Sequence, residues 1–406
     1  MVKLTVCIPT RNRQKYCIQT IKDIAKSDEQ NFEVIIGDNS DDHTIMAEFF
    51  ETFDDARFHL VPPGNEVYSM VENWDRLIPF TKGEWLIYIG DDDYVDPELV
   101  KFITITQAAA PDVDAISWSR IFYSWPEIQS PKEVVRVPLG YDVYQLSQEL
   151  TLRKMFYWDG ASDRPACSFG IYHSAIKRDL METIKETFGG KYFEHQVVDY
   201  ENICKTIMVA KSMIYSERPM SVFGACGASN SAGFLDRKTQ DIRIGTFLKE
   251  AKNKLGPTNF PLSDDLGNTV IVARTILWFI EKYGLEVAGW EKNFVKACSE
   301  YCIRGRDKTE FEIRRKAHAK AIRKWKGGKY LKYFNPVRKT IDYNGLSFQG
   351  VHENKLYVPG IINDVQTPAA FYEIVSGVMP SVDLIEHQLK AAAKAPASAP
   401  VSSKAA

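Results

Sequence analysis

Short apolar runs alternate with helix-like segments along the first ninety residues of the chain. The runs are LTVCIP (4–9), FEVIIGD (32–38), RFHLVPPG (57–64) and GEWLIYIG (83–90). Apolar residues recur at helical spacing between them, in segments 13–27, 44–53 and 67–80. Strands that alternate with helices indicate βαβ units and a largely parallel sheet, and strands that are apolar nearly throughout indicate a sheet covered on both faces.

The pattern changes twice further along the chain. Strands and helices continue to about residue 220, and a mobile loop of small and polar residues, GACGASNSAG (224–233), is predicted after them. Apolar residues at helical spacing follow this loop. The end of the chain is too poor in apolar residues to form a core. We predict a Rossmann-like α/β domain with a mostly parallel sheet at 1–235, a helical and partly basic domain at 236–345, an extension packed on the body at 346–390 and a disordered tail at 391–406.

Composition narrows the class of protein without identifying it. With 51 basic and 53 acidic residues the net charge indicates no partner, and without a recognisable module we expect no nucleic acid partner. Seven scattered cysteines without a CxxC pair indicate free thiols. Segment 269–280 is too short and too charged to span a bilayer, and the N-terminal apolar run is too short for a signal peptide. We predict that segment 269–280 forms a buried helix and that the protein is cytoplasmic.

Polar clusters follow three of the predicted strands. They are PTRNR (9–13), GDNSDD (37–42) and GDDDYVDP (90–97). Ligands of such sheets bind beyond the carboxyl ends of the strands, so these clusters are expected to converge on one edge. Their convergence is a stronger indication of a site than any one cluster alone.

Three consecutive aspartates, Asp91, Asp92 and Asp93, form the most unusual cluster. Carboxylates at a strand end suit Mn²⁺ or Mg²⁺, which prefer oxygen ligands and often share them with substrate phosphates. The alternative is an acidic turn before the helix that begins near Pro97, with Asp96 as its N-cap. Asp96 accounts for that cap by itself, which leaves the triplet for a cation.

The other two loops have both binding and structural interpretations. Asp38 has a carboxylate that suits a base N–H or a ribose hydroxyl, and Ser40 adds a hydroxyl, but Asp-Asn-Ser also forms Asx turns. Thr10 suits the wall of a nucleotide pocket, and Arg11 or Arg13 suits a phosphate, although basic residues on a solvated loop are equally ordinary.

A later acidic segment, FEHQVVDYEN (193–202), offers a candidate base. Asp199 is interpreted either as a helix N-cap or as a base that projects into the cleft. Glu201, two residues on, would face another side of the helix. His195 is a candidate acceptor-binding or supporting residue, with a surface position as the expected alternative.

The order of these motifs resembles that of the family-two glycosyltransferases with the GT-A fold. The resemblance is carried by VCIPTRNR, VIIGDNSDD, ENWDRLIPFTKGEWLIYIGDDDYVDP and VDYENICKTI, and it covers about 1–220. It implies a donor site formed by Pro9 and Thr10, by Asp38 with Gly37 in place of the family's first aspartate, and by Asn73. Arg13 and Ser40 complete the predicted nucleotide-sugar contacts.

The same resemblance assigns the acidic residues. Counted back from Pro97, Gly90 takes the place of the family's first aspartate; Asp92 matches the main metal ligand, with Asp93 beside it and Asp91 near the ribose and phosphates. Asp199 matches the catalytic base, with Glu201 as the fallback. The histidine that many relatives carry after the base helix has no counterpart in VFGACGASNSAG.

The implied activity is transfer of a hexose, with inversion and metal assistance, in bacterial surface polysaccharide or glycoconjugate synthesis. A UDP-sugar is the favoured donor, and a glycan or lipid-linked molecule the acceptor. Two alternatives stay open: a haloacid-dehalogenase-like phosphatase that uses Asp91, and a non-catalytic sugar-nucleotide-binding module. The basic segment 304–339, interleaved with aromatic residues, is either a solvated helical face, a dock for an anionic acceptor or a contact with an anionic membrane.

Overall fold

Fourteen strands and eleven helices are seen in the part of the chain that the computed structural model describes. That part comprises residues 2–130, 133–229, 260–304, 307–338 and 348–385, with isolated positions 242, 245, 246 and 249. The strands are β1 Leu4–Thr10, β2 Phe32–Asp38, β3 Phe58–Leu60, β4 Trp85–Tyr88, β5 Tyr94–Val95, β6 Ala115–Trp118, β7 Ile121–Ser124, β8 Val134–Pro138, β9 Val143–Leu146, β10 Ser174–Lys177, β11 Met213–Ser216, β12 Ser221–Ala225, β13 Gly350–His352 and β14 Lys355–Pro359. The helices are α1 Gln14–Ala25, α2 Thr44–Thr52, α3 Met70–Asp75, α4 Leu99–Ala109, α5 Gln148–Phe156, α6 Arg178–Thr187, α7 Val198–Val209, α8 Asn268–Lys282, α9 Glu291–Ile303, α10 Lys308–Lys324 and α11 Pro368–Ser376.

The central sheet has eight strands in the order β3-β2-β1-β4-β10-β6-β11-β9. The pairs β3/β2, β2/β1, β1/β4 and β6/β11 are parallel, and the other three are antiparallel. Two three-stranded sheets, β5-β12-β7 and β13-β14-β8, lie beside it. The predicted α/β class with a largely parallel sheet is confirmed.

Both faces of the central sheet are buried, as the apolar strands indicated. Along β4, Trp85 and Ile87 pack in one hydrophobic cluster, while Leu86 and Tyr88 pack in the other. Successive strand residues point to opposite faces, so a strand with helices on both sides must be apolar at every position. This packing fixes β4 and so the position at which the aspartates leave the sheet.

Helices α8, α9 and α10 share the core of the α/β part. Phe279 of α8 stacks on Phe156 at 6.0 Å and contacts Phe188 at 5.5 Å. The apolar segment 269–280 thus forms a helix that packs in the core, as predicted, and no described helix is both long and apolar enough to cross a membrane. All seven cysteines are free and buried.

The C-terminal segment 348–385 packs on the smaller sheets. Strand β14 pairs antiparallel with β8, and Phe371 of α11 stacks on Tyr123 of β7 at 4.8 Å. Arg218 donates to the carbonyl of Pro380 at 2.7 Å. The predicted boundaries at 235 and 345, and the tail at 391–406, lie outside the described residues.

Three local expectations are corrected. The helix expected over 67–80 ends at Asp75, and a separate 3₁₀ turn follows at Ile78–Phe80. Helix α4 begins at Leu99 rather than near Pro97, and the carboxylate of Asp96 accepts from the N–H of Glu98 at 3.0 Å in the turn before it. Of the loop expected at 224–233, residues 224 and 225 belong to strand β12, and 230–233 lie outside the described residues.

The aromatic residues of the basic segment do not face solvent as a group. Trp325 is buried against Phe260, Trp290 and Phe294, and Phe334 lies over His318. They anchor the end of α10 to the helical core. Trp325 is thus a core residue, whereas Tyr330, Tyr333 and Phe334 are partly exposed, and the membrane contact stays a prediction.

Candidate functional site

The three polar clusters meet at one edge of the central sheet. Thr10, the last residue of β1, is in register with Asp38, the last residue of β2, and Cys7 of β1 is in register with Tyr88 at the end of β4. The aspartate triplet begins three residues after Tyr88. Parallel pairing therefore brings the carboxyl ends of three strands, and the loops that follow them, to a common edge.

Asp91 is the most enclosed of the three aspartates. Its Oδ2 accepts from the hydroxyl of Thr10 at 2.6 Å and from Nε of Arg13 at 3.1 Å, and its Oδ1 lies 2.7 Å from Nη2 of Arg13. Burial raises the pKa of Asp91, and the adjacent guanidinium opposes that rise. The Arg13 guanidinium is thus a fixed positive charge at the strand edge.

Asp92 is held from one side only. Its Oδ2 accepts from the N–H of Cys226 at 3.1 Å and from the hydroxyl of Ser229, and it lies 3.6 Å from Nη1 of Arg13. Its Oδ1 accepts no hydrogen bond from the residues that the structure describes. One carboxylate oxygen is therefore left for a ligand outside the protein.

Asp93 is fully occupied by protein donors. Its Oδ2 accepts from the N–H of Gly90 at 2.6 Å, from the hydroxyl of Tyr172 at 2.7 Å and from His173 Nε2 at 2.8 Å; its Oδ1 accepts from the N–H of Gly224 at 2.7 Å. Burial disfavours the charge, but His173 and the other donors outweigh it and lower the pKa of Asp93. These contacts hold Asp93 within the protein, and its predicted contact with a metal stays a prediction.

Gly90 makes room for that arrangement. A Cβ atom at residue 90 would lie 2.8 Å from Oδ2 of Asp93 and 3.2 Å from Oδ1 of Asp92. Real Cβ atoms essentially never come within 3.0 Å of a non-bonded atom. The carboxylate of Asp93 thus takes the space that an aspartate at residue 90 would need.

The contacts of Asp38 are compatible with both an Asx turn and a ligand-binding loop. Its Oδ1 accepts from the backbone N–H of Ser40 at 2.9 Å and from the Ser40 hydroxyl, which is the hydrogen bonding of an Asx turn. Its Oδ2 is buried without a hydrogen-bond partner among the described residues, and the nearest basic atom is Nδ1 of His43 at 3.8 Å. The turn thus presents one unsatisfied acceptor at the strand edge.

Asn73 supports this loop from behind. Its amide donates to the carbonyl of Gly37 at 3.3 Å and accepts from Nε of Arg76 at 2.9 Å, while Arg76 also donates to the carbonyl of Asp38 at 2.9 Å. Pro9 and Thr10 occupy the neighbouring end of β1. Asn73 therefore fixes the backbone of the Asp38 loop, and its predicted contact with a nucleotide sugar stays a prediction.

Asp199 lies in the first turn of α7, half-buried. Burial raises its pKa, and hydrogen bonding by Tyr200 and the charges of Arg164 and Arg120 oppose the rise. Glu201 is instead fully buried, and its carboxylate lies 2.7 Å from the ammonium group of Lys205. The fallback base is therefore enclosed in an ion pair, and Asp199 is the better candidate.

Sequence reasoning missed several residues of the site, notably His173, Tyr172 and Ser229. His173 is buried, with Nδ1 on the Ser221 hydroxyl at 2.8 Å and Nε2 on Asp93. Its presence beside the triplet depends on β10 pairing with β4, which no local pattern reveals. His195, expected at the surface, is instead buried against Trp278 at 4.8 Å.

Metal ligands are sparse at this edge. Among the described residues no group of three or more histidine, cysteine, aspartate and glutamate side chains is arranged to hold a metal ion. The open oxygen of Asp92 fits a hard cation that receives most of its ligands from phosphate and water, which is how Mg²⁺ usually binds in nucleotide sites.

Family comparison identifies the region that contains this edge. A family model described as "Glycosyl transferase family 2" matches residues 5–178, from β1 through β10. Residues 5–178 are therefore similar to glycosyltransferase family 2. Comparison with curated protein sequences gives no match.

Several solved glycosyltransferase structures show a loose likeness. S. aureus TarS 1–349 in complex with UDP-GlcNAc is 13% identical, with 82% of this chain and 89% of that chain covered and a TM-score of 0.44. The mannosyltransferase PcManGT from Pyrobaculum calidifontis, in complex with GDP-Man and Mn²⁺, is 15% identical, with 82% and 84% covered and a TM-score of 0.38. At these values no residue assignment rests on the likeness.

Proposed function

We propose that the protein transfers a sugar from a nucleotide-diphosphate sugar, with a UDP-sugar favoured, to an acceptor hydroxyl with inversion at the anomeric carbon. The observation that carries this proposal is the strand edge itself. It offers the unsatisfied acceptor of Asp38 at one end and the positive charge of Arg13 with the open oxygen of Asp92 at the other. The nucleobase or ribose of a nucleotide would bond to Asp38, and its diphosphate would lie at Arg13 and Asp92.

The nucleoside would lie against β1 and β2. A buried acceptor without a donor costs about 1–3 kcal/mol, which a base N–H or a ribose hydroxyl on Asp38 Oδ2 would recover. Thr10 and Ser40 already bond to Asp91 and Asp38, so they would shape this pocket and hold its carboxylates in place. Pro9 would contribute wall surface only.

The diphosphate would lie over Arg13 and Asp92. Arg13 brings a guanidinium that suits phosphate oxygens, and Oδ1 of Asp92 would hold Mn²⁺ or Mg²⁺ shared with them. When bound, that cation supplies Lewis-acid neutralisation of the charge that grows on the leaving diphosphate. Asp91 keeps the Arg13 guanidinium at this place through contacts at 2.7 and 3.1 Å.

Asp199 would act as the general base. The acceptor oxygen forms a bond to the anomeric carbon, the bond from that carbon to the diphosphate oxygen breaks, and the acceptor proton moves to the Asp199 carboxylate. Partial burial and a raised pKa make this carboxylate a better proton acceptor than an ordinary surface aspartate. Attack from the side opposite the leaving group inverts the configuration.

A donor screen with paired aspartate variants tests the proposal. Asp199→Asn should lower transfer about 10²- to 10⁴-fold and spare donor binding. Asp179 is a matched control, since it is also the second residue of a helix, α6, but its side chain is 86% exposed. Nucleotide release from a panel of nucleotide sugars with Mn²⁺, and thermal shift, give the two readouts. Near-normal transfer by Asp199→Asn contradicts the assignment of the base.

The two alternatives are less well supported. A phosphatase that uses Asp91 needs an accessible nucleophile, but Asp91 is fully buried beneath Thr10 and Arg13. Release of phosphate from a phosphomonoester, without turnover of any nucleotide sugar, favours that alternative. A non-catalytic module predicts donor binding with no slow hydrolysis of the donor, which the same screen detects.

The acceptor is proposed to be a glycan or a lipid-linked molecule of bacterial surface polysaccharide synthesis. Lys316, Lys320 and Arg323 are exposed on α10 and would approach an anionic membrane, whereas Arg314 is buried in an ion pair with Glu310 at 2.7 Å. Cosedimentation with anionic liposomes should fall when the three exposed residues are changed to Glu. Binding that is unchanged removes the membrane contact.

A further inference from the structure

Arg120 is a cation without a partner near the proposed base. It lies between β6 and β7, half-buried, with its guanidinium 4.9 Å from the centre of the Phe223 ring. It makes no hydrogen bond and no ion pair with the residues that the structure describes. A guanidinium has five N–H donors, and leaving them unused while part of the group is removed from water is costly.

The contacts of Phe223 place Arg120 beside the strand edge. The Phe223 ring stacks on His173, with ring centres 3.6 Å apart, and His173 bonds to Asp93 at 2.8 Å. The next residue, Gly224, donates its N–H to the same carboxylate. Arg120 is therefore separated from Asp93 by the stacked rings of Phe223 and His173.

Arg120 also lies close to the base. Its positive charge, like that of Arg164, lowers the pKa of Asp199, although burial is the larger influence and raises it. The two arginines repel each other, which contributes after burial to a lowered pKa of Arg120. Arg120 thus lies beside the Phe223 ring next to the donor edge, and its charge reaches the carboxylate that would receive the acceptor proton.

The surroundings of Asp199 carry more positive than negative charge. Arg164 has one carboxylate neighbour in an ion pair, Asp163, at 3.7 Å, and Asp163 is also paired with Arg304 at 3.0 Å. Three arginines thus share two carboxylates, one of which is the proposed base. A bound anion would balance this excess.

We propose that Arg120, assisted by Arg164, binds a phosphate group of the acceptor next to the hydroxyl that Asp199 deprotonates. This inference rests on the proposed function. The phosphates of the donor belong on the other side of the Phe223–His173 pair, at Arg13 and Asp92, so a second anion at Arg120 belongs to the acceptor. The planar guanidinium fork matches phosphate geometry, and binding there would orient the acceptor hydroxyl toward Asp199.

The test uses the full chain with the donor site already filled. Glycerol 3-phosphate and inorganic phosphate are titrated by calorimetry into protein saturated with UDP and Mn²⁺, and UDP binding is measured separately. We expect saturable binding of both probes that weakens about 10- to 100-fold in Arg120→Gln, the size expected for loss of a charge-assisted hydrogen bond. Arg120→Lys should lose part of the affinity, and Arg136→Gln, at an exposed arginine on β8, should lose none.

Each outcome separates this inference from the proposed function. Failure to bind UDP counts against the proposed function, whereas UDP binding without saturable phosphate binding overturns the inference alone. Equal phosphate affinity in Arg120→Gln and the parent protein also overturns it. With an active donor, glycerol 3-phosphate and a polyprenyl phosphate in vesicles should each be compared with glycerol as acceptor. Preference for either phosphate supports the inference and identifies its source, and preference for glycerol overturns it.

Discussion

The close contact between Gly224 and the aspartate triplet gives the sharpest test of how the site is assembled. A Cβ atom at residue 224 would lie 1.6 Å from the carbonyl oxygen of Asp92 and 3.2 Å from Nε1 of Trp125. The obstructing atom is backbone, so rotation of a side chain cannot relieve the clash. In Gly224→Ala strand β12 must withdraw by about 2 Å to reach an ordinary carbon–oxygen distance.

That withdrawal breaks two hydrogen bonds. The N–H of Gly224 donates to the Asp93 carboxylate at 2.7 Å, and Nε1 of Trp125 donates to the carbonyl of Asp92 at 2.9 Å. A bond to a charged group contributes about 1.5–3 kcal/mol and a neutral one about 0.5–1.5 kcal/mol, so the free energy of unfolding should fall by about 2–4.5 kcal/mol. A displacement of this size near the triplet should also lower turnover about 100-fold.

Gly227→Ala is the matched control. It lies three residues further along the same segment, where an added Cβ makes only ordinary side-chain contacts, with Ile128 Cγ2 at 3.5 Å and Glu127 Cγ at 3.8 Å. Urea unfolding and nucleotide-sugar turnover are measured for both variants and the parent protein. If Gly224→Ala unfolds at the same urea concentration as Gly227→Ala and keeps its turnover, the contact between β12 and the triplet does not hold the site together.

Two further predictions concern the helix that carries the base. Because burial raises the pKa of Asp199, kcat/KM should fall as the pH decreases through a value above the usual aspartate range. Arg164→Gln removes a positive charge that lowers this pKa, so the acidic limb of the pH profile should move to higher pH. An unchanged limb argues against titration of Asp199. Glu201→Ala removes the 2.7 Å partner of the buried Lys205 ammonium but leaves Glu194 at 3.0 Å, so the free energy of unfolding should fall by about 1.5–3 kcal/mol in urea denaturation, the size of one hydrogen bond to a charged group. If Glu201→Gln unfolds like the parent protein but cannot turn over donor, Glu201 is the base instead.

The order of the elements was predictable because it depends on local patterns. Apolar runs such as 4–9 and 32–38 form strands that pair in parallel, and the loops after them reach one edge by the geometry of such sheets alone. The convergence of Thr10, Asp38 and the triplet follows from that geometry. The extent of α3 was less predictable, since its end depends on how the 3₁₀ turn Ile78–Phe80, which contains Pro79, packs after it.

The different environments of the three aspartates were not predictable from the Asp-Asp-Asp motif alone, because residues distant in sequence determine them. Asp91 and Asp93 are both fully buried. Asp91 contacts Arg13, which directly precedes α1. Asp93 contacts His173, which reaches it only because β10 pairs with β4. Asp92 differs because the segment after β12, through Cys226 and Ser229, satisfies only one of its two oxygens.

The same reasoning explains why Asp199 and Glu201 separate so clearly in the structure. They are two residues apart and alike in charge, but Lys205, one helical turn after Glu201, neutralises that carboxylate within the core. Asp199 has no lysine at the corresponding position, since residue 203 is Ile. Its balancing charges, Arg120 and Arg164, come instead from the β6–β7 connection and the loop before β10. Asp199 is therefore half-buried and compensated by side chains from other elements, whereas Glu201 is fully buried beside a partner on its own helix.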